Sequence, residues 1–133
     1  MNSRLFVYGT LLSGAGHAMG ARLRRQARPL GEASMQGRLY RVDSYPGLVE
    51  TEDARERVHG ELYDLNNPRA ALQWLDAYEG IVPGHHDQNE YRRIERPVRV
   101  ASGEDVTAWV YLYRKDVRRL QPIPDGRWRS GKS

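Results

Sequence analysis

The chain has no cysteine and no long apolar segment. Only two of its 21 basic residues are lysine, and it has a single phenylalanine in 133 residues. Without cysteine there is no disulfide and no thiolate ligand for a metal. Without an apolar run of about 18 residues there is no candidate membrane helix, and the N-terminal residues lack the apolar core of a signal peptide. We therefore expect a cytoplasmic protein that does not bind a membrane.

The length is that of one domain, and we predict a single domain over 1–133 with a surface tail at 118–133. The net charge is +4, a balance that is found in nucleic-acid-binding proteins but also in proteins with anionic substrates. The arginines are scattered, and the one dense run, "RLRRQAR" at 22–28, fits the exposed face of a short helix. We therefore predict no nucleic-acid partner. The composition does not indicate an oligomeric state.

The apolar pattern predicts more strands than helices, and short turns join many of them. The predicted strands span 4–8, 34–42, 44–50, 58–65, 91–100 and 105–114, and the predicted helices span 17–27, which Pro29 would end, and 68–79. The clearest helix is the second. Asn67 is its N-cap, Pro68 occupies the first helical position, and Gly80 is placed to end it in the left-handed conformation. This order predicts an α+β fold with a mostly antiparallel, barrel-like sheet.

Glycines that follow the first strand suggest a dinucleotide-binding motif. Gly14, Gly16 and Gly20 come after the strand at 4–8. In that motif, however, the glycines lie directly at the turn from strand to helix, and a second parallel strand ends in an acidic residue. Here five residues, 9–13, separate the end of the strand from Gly14, and no second parallel strand ending in an acidic residue follows. These glycines are predicted to form a loop and the entry to a helix.

The four residues before those glycines are a stronger candidate for a binding site. The strand ends at Tyr8, and Gly9 allows the chain to turn sharply and to approach a ligand closely. The backbone N–H groups of Thr10 and Leu11 then lie at the end of the strand, where they could hold a carboxylate or a developing oxyanion. A purely structural turn is the alternative.

Glu79 lies in the last turn of the predicted helix 68–79, where the helix dipole disfavours a negative charge. The apolar stripe places it beside Leu75 and Tyr78, at the edge of the buried face. Burial and the dipole would both raise the pKa of this carboxyl, because both favour its protonated form. General acid–base chemistry requires a group that gains and loses a proton near neutral pH. The alternative is an exposed glutamate with a screened charge.

Two further clusters contain residue types that occur in metal sites and catalytic sites. "HHD" at 85–87, together with Glu90, could bind a metal, but a loop has no regular spacing to aim the ligands, so we predict a solvated loop and no metal. Ser13 and His17 could imitate part of a catalytic triad, but the sequence around Ser13 is not that of a nucleophile elbow.

Taken together, the motifs resemble the gamma-glutamylcyclotransferase-like family, in its gamma-glutamylamine cyclotransferase-type branch. They occur in the family's order over nearly the whole chain: "FVYGTLLSG", "YPGLV", "VHGELYDL", "LDAYEG", "YRR", "AWVYLYR" and "IPDGRW". In the last of these, Arg127 stands where an acidic residue is common. The resemblance implies a small β-barrel with flanking helices and a ligand cavity. It also implies a cofactor-independent enzyme that releases 5-oxoproline and a free amine from a γ-glutamyl amine or peptide.

The resemblance also implies roles for individual residues. The expected substrate-binding residues are Tyr8, Gly9, Thr10, Leu11, Tyr91 and Tyr113, and the expected acid/base is Glu79. Some relatives instead keep a glutamate before the tyrosine of "YRR", which makes Glu90 the alternative acid/base. A non-catalytic protein that binds glutamyl compounds on the same fold is the second functional hypothesis.

Overall fold

The computed structural model describes residues 1–85 and 88–129. The strands are β1 (Arg4–Val7), β2 (Ala27–Gln36), β3 (Arg38–Arg41), β4 (Pro46–Val49), β5 (Arg57–Leu65), β6 (Tyr91–Val100), β7 (Asp105–Tyr113) and β8 (Gln121–Ile123). The helices are α1 (Ala18–Arg25) and α2 (Pro68–Tyr78), and a single 3₁₀ turn covers Ser13–Ala15. No helix in these ranges has the length and apolar character needed to cross a membrane.

Five strands close into a barrel in the order β1-β5-β2-β6-β7. The neighbours pair antiparallel, except that β1 closes the barrel against β7 in parallel, with Leu5 opposite Trp109. The remaining strands form a second sheet in the order β4-β3-β8. The prediction of an α+β fold, with a small and mostly antiparallel barrel flanked by short helices, is confirmed.

The strand predicted over 34–42 is in fact the end of β2 followed by β3. The chain bends between them at Gly37, whose N–H donates to the carbonyl of Glu56 at 3.0 Å. A Cβ on Gly37 would lie 3.0 Å from the carbonyl oxygen of Val49, so the bend brings backbone close to backbone. The break moves β3 from the barrel into the second sheet.

The helix predicted over 17–27 ends earlier than expected, at Arg25, because β2 begins at Ala27. Pro29 therefore lies inside a strand and does not terminate the helix. It is tolerated there because, in the part of the chain described, this half of β2 pairs with β5 alone, so the missing N–H breaks no second ladder. A register shift follows directly, between Pro29 and Gly31.

The tail predicted to run over the surface from 118 is partly built into the fold. Its strand β8 pairs with β3, and Trp128 is only 6% exposed and packs in the core. The carbonyl of Gly126 accepts the N–H of His59 at 2.9 Å. Most residues of 121–128 are exposed, as expected of a surface segment, but strand pairing and the buried Trp128 hold this segment against the molecule.

The alternation of side chains along β1 divides the core in two. Phe6 and Tyr8 belong to a cluster shared by the barrel and the second sheet, and Leu5 and Val7 belong to a cluster shared with the helices. The helix α2 contributes Leu72 and Leu75 to the second cluster, as its apolar stripe predicts. This packing places the C-terminal end of α2 near the residues that follow β1.

Candidate active site

A cavity of about 600 Å³ opens between the turn after β1 and the end of α2. Six of the residues that the sequence predicts for the site line it: Tyr8, Gly9, Thr10, Leu11, Glu79 and Tyr91. The alternative acid, Glu90, lines it too. Residues that are far apart in the sequence are thus brought to one concave surface.

The turn after β1 leaves backbone donors at the cavity. The N–H of Leu12 donates to the carbonyl of Gly9 at 3.0 Å, which closes the turn. The N–H groups of the two central residues, Thr10 and Leu11, have no acceptor among the described residues. A Cβ on Gly9 would lie 2.8 Å from Cγ of Pro46, so only glycine lets the turn pack against this proline. The turn therefore offers two free N–H groups on a closely packed support.

A chain of side-chain contacts ties this turn to both helices. The hydroxyl oxygens of Thr10 and Tyr78 are 2.7 Å apart, and that of Tyr78 lies 3.5 Å from Nε2 of His17. Nδ1 of His17 accepts the N–H of Met19 at 3.1 Å, so the proton of the neutral imidazole is on Nε2, toward Tyr78. These contacts hold the turn beside the end of α2, one residue before Glu79.

Glu79 is the C-cap residue of α2, and its N–H donates to the carbonyl of Leu75 at 2.9 Å. Gly80 follows with a φ of 76°, so the predicted left-handed helix end is confirmed. The half-buried Glu79 carboxyl makes no hydrogen bond or ion pair with the described residues. Burial, followed by the nearby charge of Asp76, raises its pKa from 4.5 to about 7. A carboxyl with this pKa exchanges a proton near neutral pH.

The charge of Asp76 is held in place by Arg93. Nε of Arg93 donates to Oδ1 of Asp76 at 2.7 Å, Nη2 donates to Oδ2 at 3.1 Å, and the hydroxyl of Tyr111 donates to Oδ1 at 2.6 Å. The guanidinium also lies 4.4 Å from the ring centroid of Trp109. The aspartate one turn before Glu79 is therefore rigidly oriented, and sequence reasoning did not identify it.

The tyrosines predicted for the site do not have the same role. The hydroxyl of Tyr8 donates to the carbonyl of Tyr111 at 2.6 Å, and that of Tyr91 donates to the carbonyl of Pro46 at 2.7 Å. Both rings therefore line the cavity while their hydroxyl protons are already donated to backbone carbonyls. Burial raises the pKa of both hydroxyls. Tyr113 does not line the cavity, contrary to the expectation. Its ring packs edge-on behind that of Tyr91, with centroids 5.6 Å apart.

Tyr45 also lines the cavity, although the sequence does not indicate it as a site residue. Its hydroxyl is 2.9 Å and 3.1 Å from the two carboxylate oxygens of Glu90 and donates to them. Burial, followed by this hydrogen bond, raises the pKa of Tyr45 to about 12. The only signal in the sequence was its position in "YPGLV", a turn next to a short strand, which does not reveal a partner 45 residues away.

Residues 5–130 match the protein family described as gamma-glutamyl cyclotransferase, AIG2-like. The chain belongs to this family. The gamma-glutamylcyclotransferase family protein YtfP of Escherichia coli K12 is 34% identical over 128 residues, which cover 94% of this chain and 95% of that protein. The solution structure of E. coli ytfP superposes with a TM-score of 0.61.

Two further solved structures share the fold. An AIG2-like protein from Mus musculus has a TM-score of 0.62 at 24% identity, covering 83% of this chain and 76% of its own. YkqA from Bacillus subtilis has a TM-score of 0.69 at 24% identity. The match covers 96% of this chain but only 40% of YkqA, so this fold is one part of that longer protein.

Of the other candidates from the sequence, the described residues decide only the pair Ser13 and His17. Ser13 donates its N–H and its hydroxyl to the carboxylate of Glu61, at 2.9 Å and 2.5 Å, so it is not paired with His17. His86 and Asp87 of the "HHD" segment lie outside the described residues. Within the residues described, no group of three or more His, Asp and Glu side chains is arranged to hold a metal.

Proposed function

We propose that this protein is a γ-glutamyl cyclotransferase, which converts a γ-glutamyl amine or peptide into 5-oxoproline and a free amine, with Glu79 as general acid and base. The observation that carries the proposal is the cavity itself. It combines a carboxyl whose pKa is about 7 with a turn that has two free backbone N–H groups. Family membership supports this reaction class, and the substrate and the residue roles are our inference.

The proposed reaction is an intramolecular acyl transfer. The α-amine nitrogen of the glutamyl group bonds to the γ-carbonyl carbon, which closes a five-membered lactam, and the bond from that carbon to the amide nitrogen breaks. The nucleophile is part of the substrate, so attack benefits from proximity once the chain is bent. The attacking nitrogen, which starts as an ammonium, loses two protons in becoming the lactam N–H, and the leaving nitrogen gains two and departs as an ammonium. Atoms balance without water, an oxidant or a cofactor.

Glu79 is suited to relay these protons. As a carboxylate it takes a proton from the α-ammonium, which frees the amine for attack, and as an acid it gives that proton to the leaving nitrogen. The second proton is lost from the attacking nitrogen on ring closure, and the departing amine takes it up. A pKa of about 7 serves both steps near neutral pH, because neither form is strongly disfavoured. The carboxyl has no competing partner among the described residues, so it is available to the substrate.

The turn after β1 is suited to bind the glutamyl end. The N–H groups of Thr10 and Leu11 can donate to its α-carboxylate or to the oxyanion that develops on the γ-carbonyl. The rings of Tyr8 and Tyr91 form an apolar wall with no free hydroxyl proton.

The test is to supply γ-glutamyl amines and γ-glutamyl dipeptides and to measure 5-oxoproline. We expect product with the wild type, loss of product with Glu79→Gln, and full activity with the control Glu52→Gln, an exposed glutamate away from the cavity. Absence of product from every substrate would refute the enzymatic proposal, and binding without turnover would favour the non-catalytic alternative. Activity that survives Glu79→Gln but not Glu90→Gln would assign the acid/base role to Glu90.

A further inference from the structure

Glu61 of β5 holds the segment that follows the turn after β1. Its carboxylate accepts three hydrogen bonds: from the N–H of Ser13 at 2.9 Å, from the hydroxyl of Ser13 at 2.5 Å and from the hydroxyl of Tyr63 at 2.9 Å. Tyr63 lies two positions further along β5, so both side chains point to the same face of the strand, and Tyr63 is only 2% exposed. A buried tyrosine thus orients the carboxylate, and the carboxylate fixes Ser13.

This contact attaches both ends of the turn to one place on the barrel. The strand β1 ends at Val7, which pairs directly with Glu61. The chain then passes through the turn and returns at Ser13 to the same glutamate. A segment attached at both ends has fewer conformations to lose when a ligand binds, so the free N–H groups of Thr10 and Leu11 are pre-organised.

Strand pairing alone does not account for a glutamate at this position. Glu61 lies opposite Glu32 of β2, and like charges directly opposite each other on neighbouring strands destabilise a sheet. Glu61 takes part in none of the ion pairs within 4 Å formed by the described residues. The unfavourable pairing is offset by its three hydrogen bonds, and two of these hold the segment after the turn.

Glu61 supports the turn from outside the cavity. It does not line the cavity and instead borders a separate groove together with residues 12–15. The turn has another support at Thr10, whose hydroxyl oxygen lies 2.7 Å from that of Tyr78 on α2. The turn is therefore attached to α2 at one residue and to β5 at another, and Glu61 acts on a ligand in the cavity only through the turn.

We infer that Glu61 is a positioning residue, which orients the N–H groups of Thr10 and Leu11 toward the glutamyl carboxylate by holding Ser13. The inference rests on the proposed cyclotransferase function and adds to it a residue that does not touch the substrate. Glu61 transfers no proton in this role, so the acid–base behaviour of Glu79 does not depend on it.

Three substitutions separate this role from a general effect of charge. Glu61→Ala removes all three hydrogen bonds. Glu61→Gln is the conservative variant, because its amide oxygen can accept the N–H of Ser13 while its amide nitrogen donates to the hydroxyl. Glu32→Ala is the matched control, because it removes the exposed carboxylate directly opposite and leaves the bonds to Ser13 intact.

Two measurements are made on these variants. Backbone order at residues 10–13 is measured by NMR relaxation in each single variant. Kd for γ-glutamylalanine and for γ-glutamylbutylamide is measured by calorimetry with Glu79→Gln present in every protein, because the intact amides persist when turnover is blocked. Thermal unfolding verifies that each variant is folded.

We expect Glu61→Ala to lower the order parameters of these N–H groups from about 0.85 toward about 0.6. The Kd for both amides should rise about tenfold, while Glu61→Gln should stay within about threefold of its parent and Glu32→Ala should match it. With Glu79 present, KM for 5-oxoproline formation should rise by a similar factor, and the acid limb of the pH–rate profile should not move. If Glu61→Ala does not fold, Ser13→Ala removes one of the two bonds to Ser13 and should raise Kd about threefold.

Unchanged order parameters in Glu61→Ala would overturn the inference, and so would a loss of order without weaker binding. An equal rise in Kd for Glu32→Ala would also overturn it, because the effect would then be one of charge. If the parent binds neither amide and forms no 5-oxoproline, the proposed function is refuted. The order parameters then still decide whether Glu61 holds the turn.

Discussion

Glu79→Gln should make the protein more stable and inactive at the same time. In the folded protein the pKa of Glu79 is about 7, against 4.5 for the free side chain. Between these two values the folded state binds more protons than the unfolded state, so the free energy of unfolding falls as the pH rises. Above about pH 7 the wild type carries the full cost of a buried charge. Glutamine is never ionised and does not carry it.

The size of the effect follows from the two pKa values. One pKa unit corresponds to about 1.4 kcal/mol, so ionising Glu79 in place costs about 3 kcal/mol in total. Most of that change falls between about pH 5 and about pH 8.5, because the unfolded carboxyl is already partly ionised at the lower pH. We expect the stability of Glu79→Gln relative to wild type to increase by about 2–3 kcal/mol over this interval.

Urea unfolding at the two pH values measures this difference, with the exposed Glu52→Gln as a control for the loss of one glutamate charge. In parallel, the rate of 5-oxoproline formation should fall by a factor on the order of 10²–10⁴ in Glu79→Gln, the usual contribution of a general acid–base residue. A stability difference that does not change with pH would refute the assigned burial of this carboxyl. Retained turnover would refute its catalytic role.

Two further substitutions test the surroundings of this carboxyl. Burial is the main cause of the raised pKa of Glu79, and the charge of Asp76 adds to it. Asp76→Asn should therefore move the acid limb of the pH–rate profile part of the way to lower pH, and an unmoved limb would show that Asp76 has no influence. Gly9→Ala places a Cβ 2.8 Å from the Pro46 ring and should displace the turn, with a loss in kcat/KM of about 10²-fold. Gly14→Ala, where a Cβ meets nothing within 4 Å, is its matched control and should stay active. Equal activity of the two alanine variants would contradict the role of the close contact.

The parts of the fold that the sequence predicted well depend on local interactions. Asn67 caps α2 by accepting the N–H of Ala70 at 3.2 Å, and Gly80 ends the helix region with a positive φ. Both act within one helical turn, so the residues that determine them are adjacent in the chain. The alternation of β1 is equally local, because side chains of a strand always point to opposite faces.

The predictions that failed depend on partners elsewhere in the chain. Pro29 suggests the end of a helix, but it lies in β2 because β5 supplies a partner for the residues around it. Trp128 lies in a polar segment and is nevertheless buried, since the barrel and the second sheet leave an apolar position for it. Tyr113 alternates with Tyr111 along β7, and its ring packs edge-on against that of Tyr91. No local pattern in the sequence distinguishes a tyrosine in this position from one that lines the cavity.

The sequence by itself determined the class of fold, the ends of the main helix, and a turn and a glutamate able to serve one reaction. Only the tertiary structure decided that the turn and Glu79 share a cavity, and that Tyr45 and Glu90 meet across it. It also decided that Asp76 lies close enough to raise the pKa of Glu79. The physical reason is range. Caps and turns are set by neighbours, whereas the desolvation and charge that a buried carboxyl experiences are sums over residues brought together only when the barrel closes.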